Sequence, residues 1–548
     1  MDLPEKPKHV AVIGSGLAGL TAAYFLQQSG HTVELFERGG SAGMDLASVD
    51  VDGHRVDVPF RVFTPDYYPC LHSLYMHLGI DTAAADYSLA FTRPDGSTLW
   101  SYTNLSLDDF QIPIPDSVSG ERLAIVRDWT RLLFASACAV RSPHELRPFG
   151  PLDMPMGRYL AENHYGDVFI SGVLLPFLGS VFTCSVGAAA GYPANAVLHF
   201  VAKAAFGSRL RKARGGVSEV CRRLLRDQNK VRYNSPVARI TRDLCVVLED
   251  GNEHQFDAVV VATPADTAAC LVADVAPKLA QALSLIEYED ACVVTHRDSV
   301  VMPTRPETWR GVNIMGCPTG CGRAMASHWL NYVEATSTGR AFASPLFQTV
   351  DPRPQISADR IAAAAGFHRS LLSVDSQHTV NDIHRMQGQG RVWVVGAYAA
   401  PGVPLLEGCV RSAADVAVGL GSKLPFDMPK LERKRRNGST YEIGLAPGMV
   451  RGEAVHAFYE LDAAGTFDFK RPRLASLQGR ALGHWVRAWI AWLAFIVILP
   501  ALASILATTS TLLVTALGAS TAHRVKASIL DFFLYTLCTL CLAIRKIY

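Results

Sequence analysis

The chain has 548 residues, more than one ordinary hydrophobic core holds, so several domain-sized units are expected. Charged residues make up only 19% and the mean hydropathy is +0.16, a composition that fits a globular protein carrying some membrane-facing sequence. The net charge is +2 and no long basic stripe interleaved with aromatics runs through the first 430 residues, which argues against nucleic acid as a partner.

The opening MDLPEKPKHV enters a strand at once, without the basic region and apolar stretch of a secretory signal, so the catalytic part is expected in the cytosol. His9 to Ile13 is a short apolar run that fits a buried parallel strand. Leu17 to Gln28 carries Leu17, Leu20 and Tyr24, and Ala18 with Ala22, at helical spacing, and Val33 to Phe36 reads as a second strand. Strand-like runs return at Val246 to Leu248, Ala258 to Thr263 and Val392 to Gly396. Between them, Asp86 to His199 holds proline-rich turns and helical pieces such as Gly157 to Asn163, and Leu283 to Met386 mixes strands with helices. An interrupted two-domain architecture follows.

Gly14-Ser15-Gly16-Leu17-Ala18-Gly19 is a GxGxxG turn between a strand and a helix. The first glycine allows the tight turn, the second a close backbone approach to pyrophosphate, and the third helix–strand packing, while the helix N-terminus faces the phosphates. Glu37 closes the second strand 23 residues after Gly14, where a carboxylate accepts both ribose hydroxyls. An acid there disfavours a 2'-phosphate and leaves NAD or the adenosine half of FAD. Ser41-Ala42-Gly43 follows, and Arg214-Gly215-Gly216 opens a later helix. The strand ending at Gly396 precedes Pro401-Gly402-Val403-Pro404 and Glu407-Gly408, where a helix from Gly408 to Leu420 would aim a second N-terminus at a flavin pyrimidine edge. A nicotinamide dehydrogenase has no need of that element, which favours FAD.

Twelve cysteines lie without a regular framework, which reads as free or structural thiols in a reducing compartment. Cys317 with Cys321, and Cys538 with Cys541, are the closest pairs, and no further ligands at metal spacing follow the first pair, so no metal is expected.

From Leu431 the chain turns charged and irregular, which reads as an exposed linker whose Arg433 to Arg436 run is either simply solvated or touches acidic lipid. Ala488 to Ala522 then spans 35 residues without one Asp, Glu, Lys, Arg or His, longer than the roughly 20 needed to cross a bilayer. Pro500 and Thr508 to Thr511 interrupt it, leaving one tilted helix or a hairpin open. Ile529 to Ile544 is a second apolar segment that spans or lies in the interface. A buried helix pair in a soluble domain is the alternative, but Trp485, Trp489 and Trp492 at one end resemble the aromatic belt of a membrane anchor.

Residues 49–80 read VDVDGHRVDVPFRVFTPDYYPCLHSLYMHLGI, residues 257–266 DAVVVATPAD, and residues 293–303 VVTHRDSVVMP, with Trp309 beyond. On these and the glycine turn, spread over about residues 9–425, the chain resembles the flavin-containing amine oxidoreductase superfamily, and within it the branch of FAD/NAD-binding proteins related to polyunsaturated fatty acid isomerase; carotenoid desaturases are more distant relatives. The resemblance implies noncovalent FAD held by Gly14, Ser15, Gly16, Leu17, Ala18, Gly19, Glu37, Arg38 and Gly43, with adenine met by backbone at Val237. Gly396 and the turn through Val403 to Glu407 should lie against the ribityl chain and flavin ring. Three departures stand out. Amine oxidases carry a lysine where this chain aligns Ala291, many members of the branch have His-Glu-Asp-Gly where Leu405 to Gly408 stands, and no Ser-Gly-Gly-Cys-Tyr attaches flavin covalently.

The implied fold is α/β: an FAD-binding Rossmann-like domain of the glutathione-reductase/amine-oxidase type, an interleaved α+β substrate domain and a C-terminal helical membrane segment. The expected bounds are 1–85, 205–275 and 385–425 for the first domain, 86–204 and 276–384 for the second, 426–483 for a linker and 484–548 for an anchor into membrane lipid. Tyr398, past the late strand, is a candidate to wall the substrate cavity or orient a reacting carbon, and His296 a candidate acid or base. Packing is the competing role for each. The expected activity is an FAD-dependent oxidoreductase taking a lipophilic substrate from the membrane, by desaturation, dehydrogenation or double-bond isomerisation. A flavin amine oxidase and a non-catalytic FAD-binding scaffold are the alternatives, and oligomeric state stays open.

Overall fold

The computed structural model describes residues 7–428 apart from 45, 108–109, 118–119, 142–151, 153, 207–208, 229, 317–321 and 354, together with the short segments 433–436 and 440–443. β1 (His9–Ile13) pairs in parallel with β2 (Thr32–Phe36) on one side and with Ala258–Val261 on the other. Val231–Arg232 and Val392–Val394 complete a five-stranded parallel sheet as its two edges. Such a sheet is covered on both faces, which explains why its central strands are near-continuous apolar runs. Val10, Val12, Leu35 and Val260 face α1 (Leu17–Gln28) and the Leu406–Gly419 helix. Ala11, Ile13, Val259 and Val261 face the helices Ala265–Val272 and Pro277–Leu283 on the other side. Each fully buried Val or Leu in these layers contributes about 1.5–3 kcal/mol.

An eight-stranded sheet lies beside this unit, with strand order 361–370, 288–296, 347–350, 325–329, 312–315, 89–92, 98–107 and 110–115. All its neighbours are antiparallel except Val312–Met315 with Leu89–Thr92. Three strands therefore stand at residues 89–115, where turns and helices were expected, because partners more than 200 residues away supply their first pairing edge. Helices between Met156 and Phe206, with Glu121–Arg141, form an apolar layer against it.

Among the described residues, no helix is long and apolar enough to cross a membrane. The expected anchor, 484–548, lies outside the described residues, as do Cys317, Cys321, Cys538 and Cys541. Arg433–Arg436, read from sequence as irregular linker, is a strand paired antiparallel with Thr440–Ile443.

Candidate functional site

The glycine turn joins β1 to α1. Gly14 has φ +101°, and a β-carbon on it would meet the Ala262 carbonyl oxygen at 2.8 Å. A β-carbon on Gly19 would sit 1.9 Å from the Gly14 carbonyl oxygen, so the helix approaches the strand only through glycine. Gly16 differs, since a β-carbon there meets nothing within 4 Å. Gly16 is also the N-cap of α1 and offers no side-chain cap, and no acid stands in the first helical turn. Open space in front of uncapped amides with the positive end of a helix dipole is what a phosphate requires.

Glu37 follows β2 and is buried. Its carboxylate accepts from Ser15 N–H at 3.0 Å, Ser15 Oγ–H at 2.5 Å and Gly39 N–H at 2.7 Å. Gly43 N–H in turn donates to Ser15 Oγ at 2.8 Å, so Ser15, Glu37 and Gly43 form one bonded unit. Oε2 takes both Ser15 bonds and Oε1 only that of Gly39, so Oε1 keeps a lone pair to spare for a ribose hydroxyl. Arg38 is exposed. Asn234 N–H and Ser235 N–H donate to the Gly39 and Glu37 carbonyls, which brings the start of the Val237–Ile240 strand to the same end of β2.

On the far side, Gly396 N–H donates to Ser412 Oγ at 3.0 Å, and that hydroxyl lies at 3.0 Å from the Gly396 carbonyl, fastening the late turn to the Leu406–Gly419 helix. A β-carbon on Gly408 would meet the Ala397 carbonyl at 2.7 Å. Cys409 takes a backbone hydrogen bond from Ala18, so the first turns of the two helices touch, and burial pushes its thiol up to about 11. Val403 is buried, with its backbone bonded to the Tyr67 hydroxyl. Glu407 does not turn its side chain to this space. Its carboxylate accepts from Cys70 N–H at 3.0 Å and Leu71 N–H at 3.0 Å, capping α2 (Pro69–His77), and burial raises its pKa.

Both candidates for chemistry prove to be packed. Tyr398 is buried with Ala11, Ile13 and Val261, on the sheet face opposite α1, and its hydroxyl donates to the Thr263 carbonyl at 3.1 Å. The expectation that it walls a cavity is thereby corrected: its ring completes the core under the 265–283 helices. His296 is fully buried, with Nε2 at 2.8 Å from Thr349 Oγ1 and Nδ1 accepting from Asp298 N–H at 3.1 Å. Burial lowers its pKa to about 4, so it is a neutral, satisfied residue and not an acid or base poised near neutrality. It also ends a strand whose other end, Tyr288, bonds Ala265; eight residues at about 3.3 Å each separate them.

Three positioning residues escaped the sequence. Asp57 Oδ1 accepts from Val217 N–H at 3.0 Å, and a β-carbon on Gly216 would lie 2.5 Å from that oxygen, so glycine at 216 admits a buried cap. Its place in DVDGHRVD, beside Asp50 and Asp52, did not mark it out for that role. Arg61 and Ser412 likewise become visible only through their partners Met44 and Gly396.

These residues fit a dinucleotide: an open helix N-terminus at Gly16, a buried acid at Glu37, and a second helix start joined to the first at Cys409. The family model for flavin-containing amine oxidoreductases matches residues 17–335. The chain belongs to that family, a class of FAD-dependent oxidoreductases. It is 39% identical over 75 residues to a 1-hydroxycarotenoid 3,4-desaturase of Flavobacterium sp. (strain P99-3), covering 14% of this chain and 15% of that one. With a coproporphyrinogen III oxidase of Mycobacterium bovis it is 26% identical over 313 residues, 53% of this chain and 66% of the relative. The match thus spans less than two thirds of either relative. The fold is shared with a CLA-producing fatty acid isomerase from P. acnes, at a TM-score of 0.53 and 16% identity over 75% of this chain and 98% of that one.

Proposed function

We propose that the chain is a membrane-tethered oxidoreductase that uses noncovalent FAD to desaturate, dehydrogenate or isomerise a lipophilic substrate. The observation that carries the substrate class is the sheet face around Ala291. That residue, where the resemblance puts the amine oxidases' lysine, is buried, and its register partner is Phe367. Val293 and Ala365 continue the face, both within the apolar cluster formed with the helices between Met156 and Phe206. No side chain at Ala291 can hold a water or meet an ammonium, whereas the face suits a hydrocarbon. The desaturase relative, named for a carotenoid, supports the same class.

FAD, when bound, supplies a hydride acceptor at its flavin N5. Gly16 and Leu17, at the open end of α1, would present amides to its phosphates, with Gly14, Ser15, Ala18, Gly19 and Gly43 shaping the turn; Glu37 would take a ribose hydroxyl, Val237 backbone would meet adenine, and Arg38 would flank it. The Gly396 turn, Val403 and the start of the 406–419 helix would hold the flavin end. In this division, 1–85, 205–275 and 385–425 bind cofactor, while 86–204 and 276–384 orient the hydrocarbon and exclude water. Residues 484–548 would anchor the chain in lipid, beyond a linker over 426–483, with the catalytic part on the cytosolic side.

The test is an absorption spectrum of the detergent-purified full chain, followed by anaerobic titration with carotenoid, unsaturated acyl and amine compounds. Bleaching by an apolar alkene-bearing compound is expected. A colourless protein overturns the cofactor assignment, and bleaching by amines alone overturns the substrate class.

A further inference from the structure

The eight-stranded sheet ends on the Ile361–Ser370 strand, which pairs along one side only, with Tyr288–His296. Hydrogen bonds fix which of its backbone groups face out. Cys292 turns its backbone to the opposite neighbour: its carbonyl accepts from Asp351 N–H at 2.8 Å, and its amide donates to Asp351 Oδ1 at 2.8 Å. Backbone direction alternates along a strand, so Glu289, Ala291, Val293 and Thr295 turn theirs toward the edge strand, and Leu371 N–H on the Glu287 carbonyl at 2.8 Å keeps the same phase. Their register partners are Arg369, Phe367, Ala365 and Ala363. Ala364, Gly366 and His368 therefore point both backbone groups out of the sheet, and among the described residues no hydrogen bond reaches them there. All three are exposed.

The two edges of this sheet are built differently. Phe110–Pro115, at the other end, carries Pro113 and Pro115, which cannot donate and so discourage a further strand. The Ile361–Ser370 edge has no proline, and its charges, His368 and Arg369, stand near one end, with the His368 ring already held by Asp290 and Asp266. Gly366 is a second, independent sign. A β-carbon there would meet nothing within 4 Å, and the residue does not adopt the left-handed backbone that favours glycine, so no contact within the chain asks for it. Glycine inside a strand weakens the strand and marks a place where another backbone comes close.

We propose that this edge pairs with a second copy of the chain, antiparallel about a two-fold axis through Gly366, so that two eight-stranded sheets become one across the interface. The strand is self-complementary about that axis, as an isologous contact requires. Ala364 of each copy faces His368 of the other and Gly366 faces itself, so every outward donor and acceptor of these three residues meets a counterpart. Phe367 then lies across from Ala365 and Arg369 across from Ala363, with no like charges opposed. An axis at Ala364 would instead set Arg360 against His368, two cations, and an axis at Ala365 would bring His368 onto Ala362, inside the irregularity that breaks the register between Ile361 and Ala363.

Sedimentation equilibrium of the full chain in density-matched detergent tests the pairing, and wild type is expected as a dimer. Ala364→Pro removes an N–H that the monomer leaves unused, so it should weaken dimerisation ~10-fold or more while the diluted protein melts as wild type does. If that variant fails to fold, Ala364→Lys, which sets a cation against His368 of the second copy, decides in its place. Disulfide linkage reads the register, with wild type as the control for native cysteines. Gly366→Cys should link two copies under mild oxidation, since paired residues at such an axis have Cα atoms about 5.5 Å apart, whereas Ala364→Cys, whose counterpart stands four residues along at ~14 Å, should not. A monomeric wild type, a dimer untouched by both Ala364→Pro and Ala364→Lys, or linkage at 366 that is absent or no greater than at 364 overturns the proposal. A monomer whose 361–370 amides still resist hydrogen exchange overturns it too, and hands the edge to another segment of this chain.

Discussion

Gly19 and Gly14 approach so closely that a β-carbon on Gly19 would lie 1.9 Å from the Gly14 carbonyl oxygen, whereas one on Gly16 between them meets nothing within 4 Å. The two glycines therefore serve different ends, and alanine separates them. Gly19→Ala must push backbone against backbone and is expected to lower stability by about 1–3 kcal/mol or more and to lose FAD. Gly16→Ala should keep its melting temperature but lose FAD, because only the phosphate position is filled. Flavin-to-protein ratio and thermal melting measured on both variants check the split; equal behaviour contradicts it.

Glu407 is expected to matter for α2 and not for flavin contact through its side chain. Its carboxylate holds the Cys70 and Leu71 amides in a buried setting. Glu407→Ala leaves those amides unsatisfied and should cost about 1–3 kcal/mol, with Glu407→Gln, which keeps one acceptor, costing less. Denaturant titration measures the loss. At saturating FAD the folded variants should bind flavin in wild-type ratio, and a failure to do so would return the side chain to the cofactor site.

Local pattern carried much of the nucleotide-binding turn into view. Leu17 to Gln28 is the observed helix, β2 begins one residue before the expected Val33, and the late helix starts at Leu406, two residues before Gly408. Those elements were legible because glycine geometry, strand length and helical spacing all act within a few residues. The three strands at 89–115 were not, because their sheet is completed by Val312–Met315, a pairing no local signal encodes. The same limit explains Tyr398 and His296. Sequence placed each beside a plausible strand, but the sheet face that Tyr398 occupies is set by chain segments far away. That His296 is satisfied depends on Thr349 in a distant strand and on the backbone turn that brings the Asp298 amide back to its ring.

The tail invites a direct test. A chain ending at residue 428 retains the parallel sheet, the Leu406–Gly419 helix and the eight-stranded sheet. It is expected to stay in the supernatant without detergent and to bind FAD, while the full chain sediments with membranes, because the 35-residue uncharged run is longer than a bilayer crossing needs. Carbonate washing followed by blotting reads the partition. A full chain that stays soluble without detergent contradicts the anchor.

His368 ties the eight-stranded sheet to the Ala265–Val272 helix in a manner that depends on pH. Its Nδ1 lies 2.6 Å from Asp290 on the neighbouring strand and its Nε2 2.9 Å from Asp266 in the Ala265–Val272 helix, while its ring stacks on Tyr288 at 4.3 Å. The hydrogen bond to Asp290, followed by that to Asp266, raises the His368 pKa above 6.5, and Asp266 is held below 3.8 against the opposing effect of burial by Thr267 N–H and His368. A raised histidine contributes stability that is complete below its unfolded pKa and is lost as pH rises through the folded value. The depressed Asp266 contributes above its unfolded pKa, so the charged triad operates between the two carboxyl and imidazole ranges. The melting temperature of wild type should therefore fall, relative to His368→Gln, as pH rises from ~6 to ~8, with salt reducing the difference because the groups are partly exposed. Parallel pH profiles for the two proteins would show that the latch adds nothing.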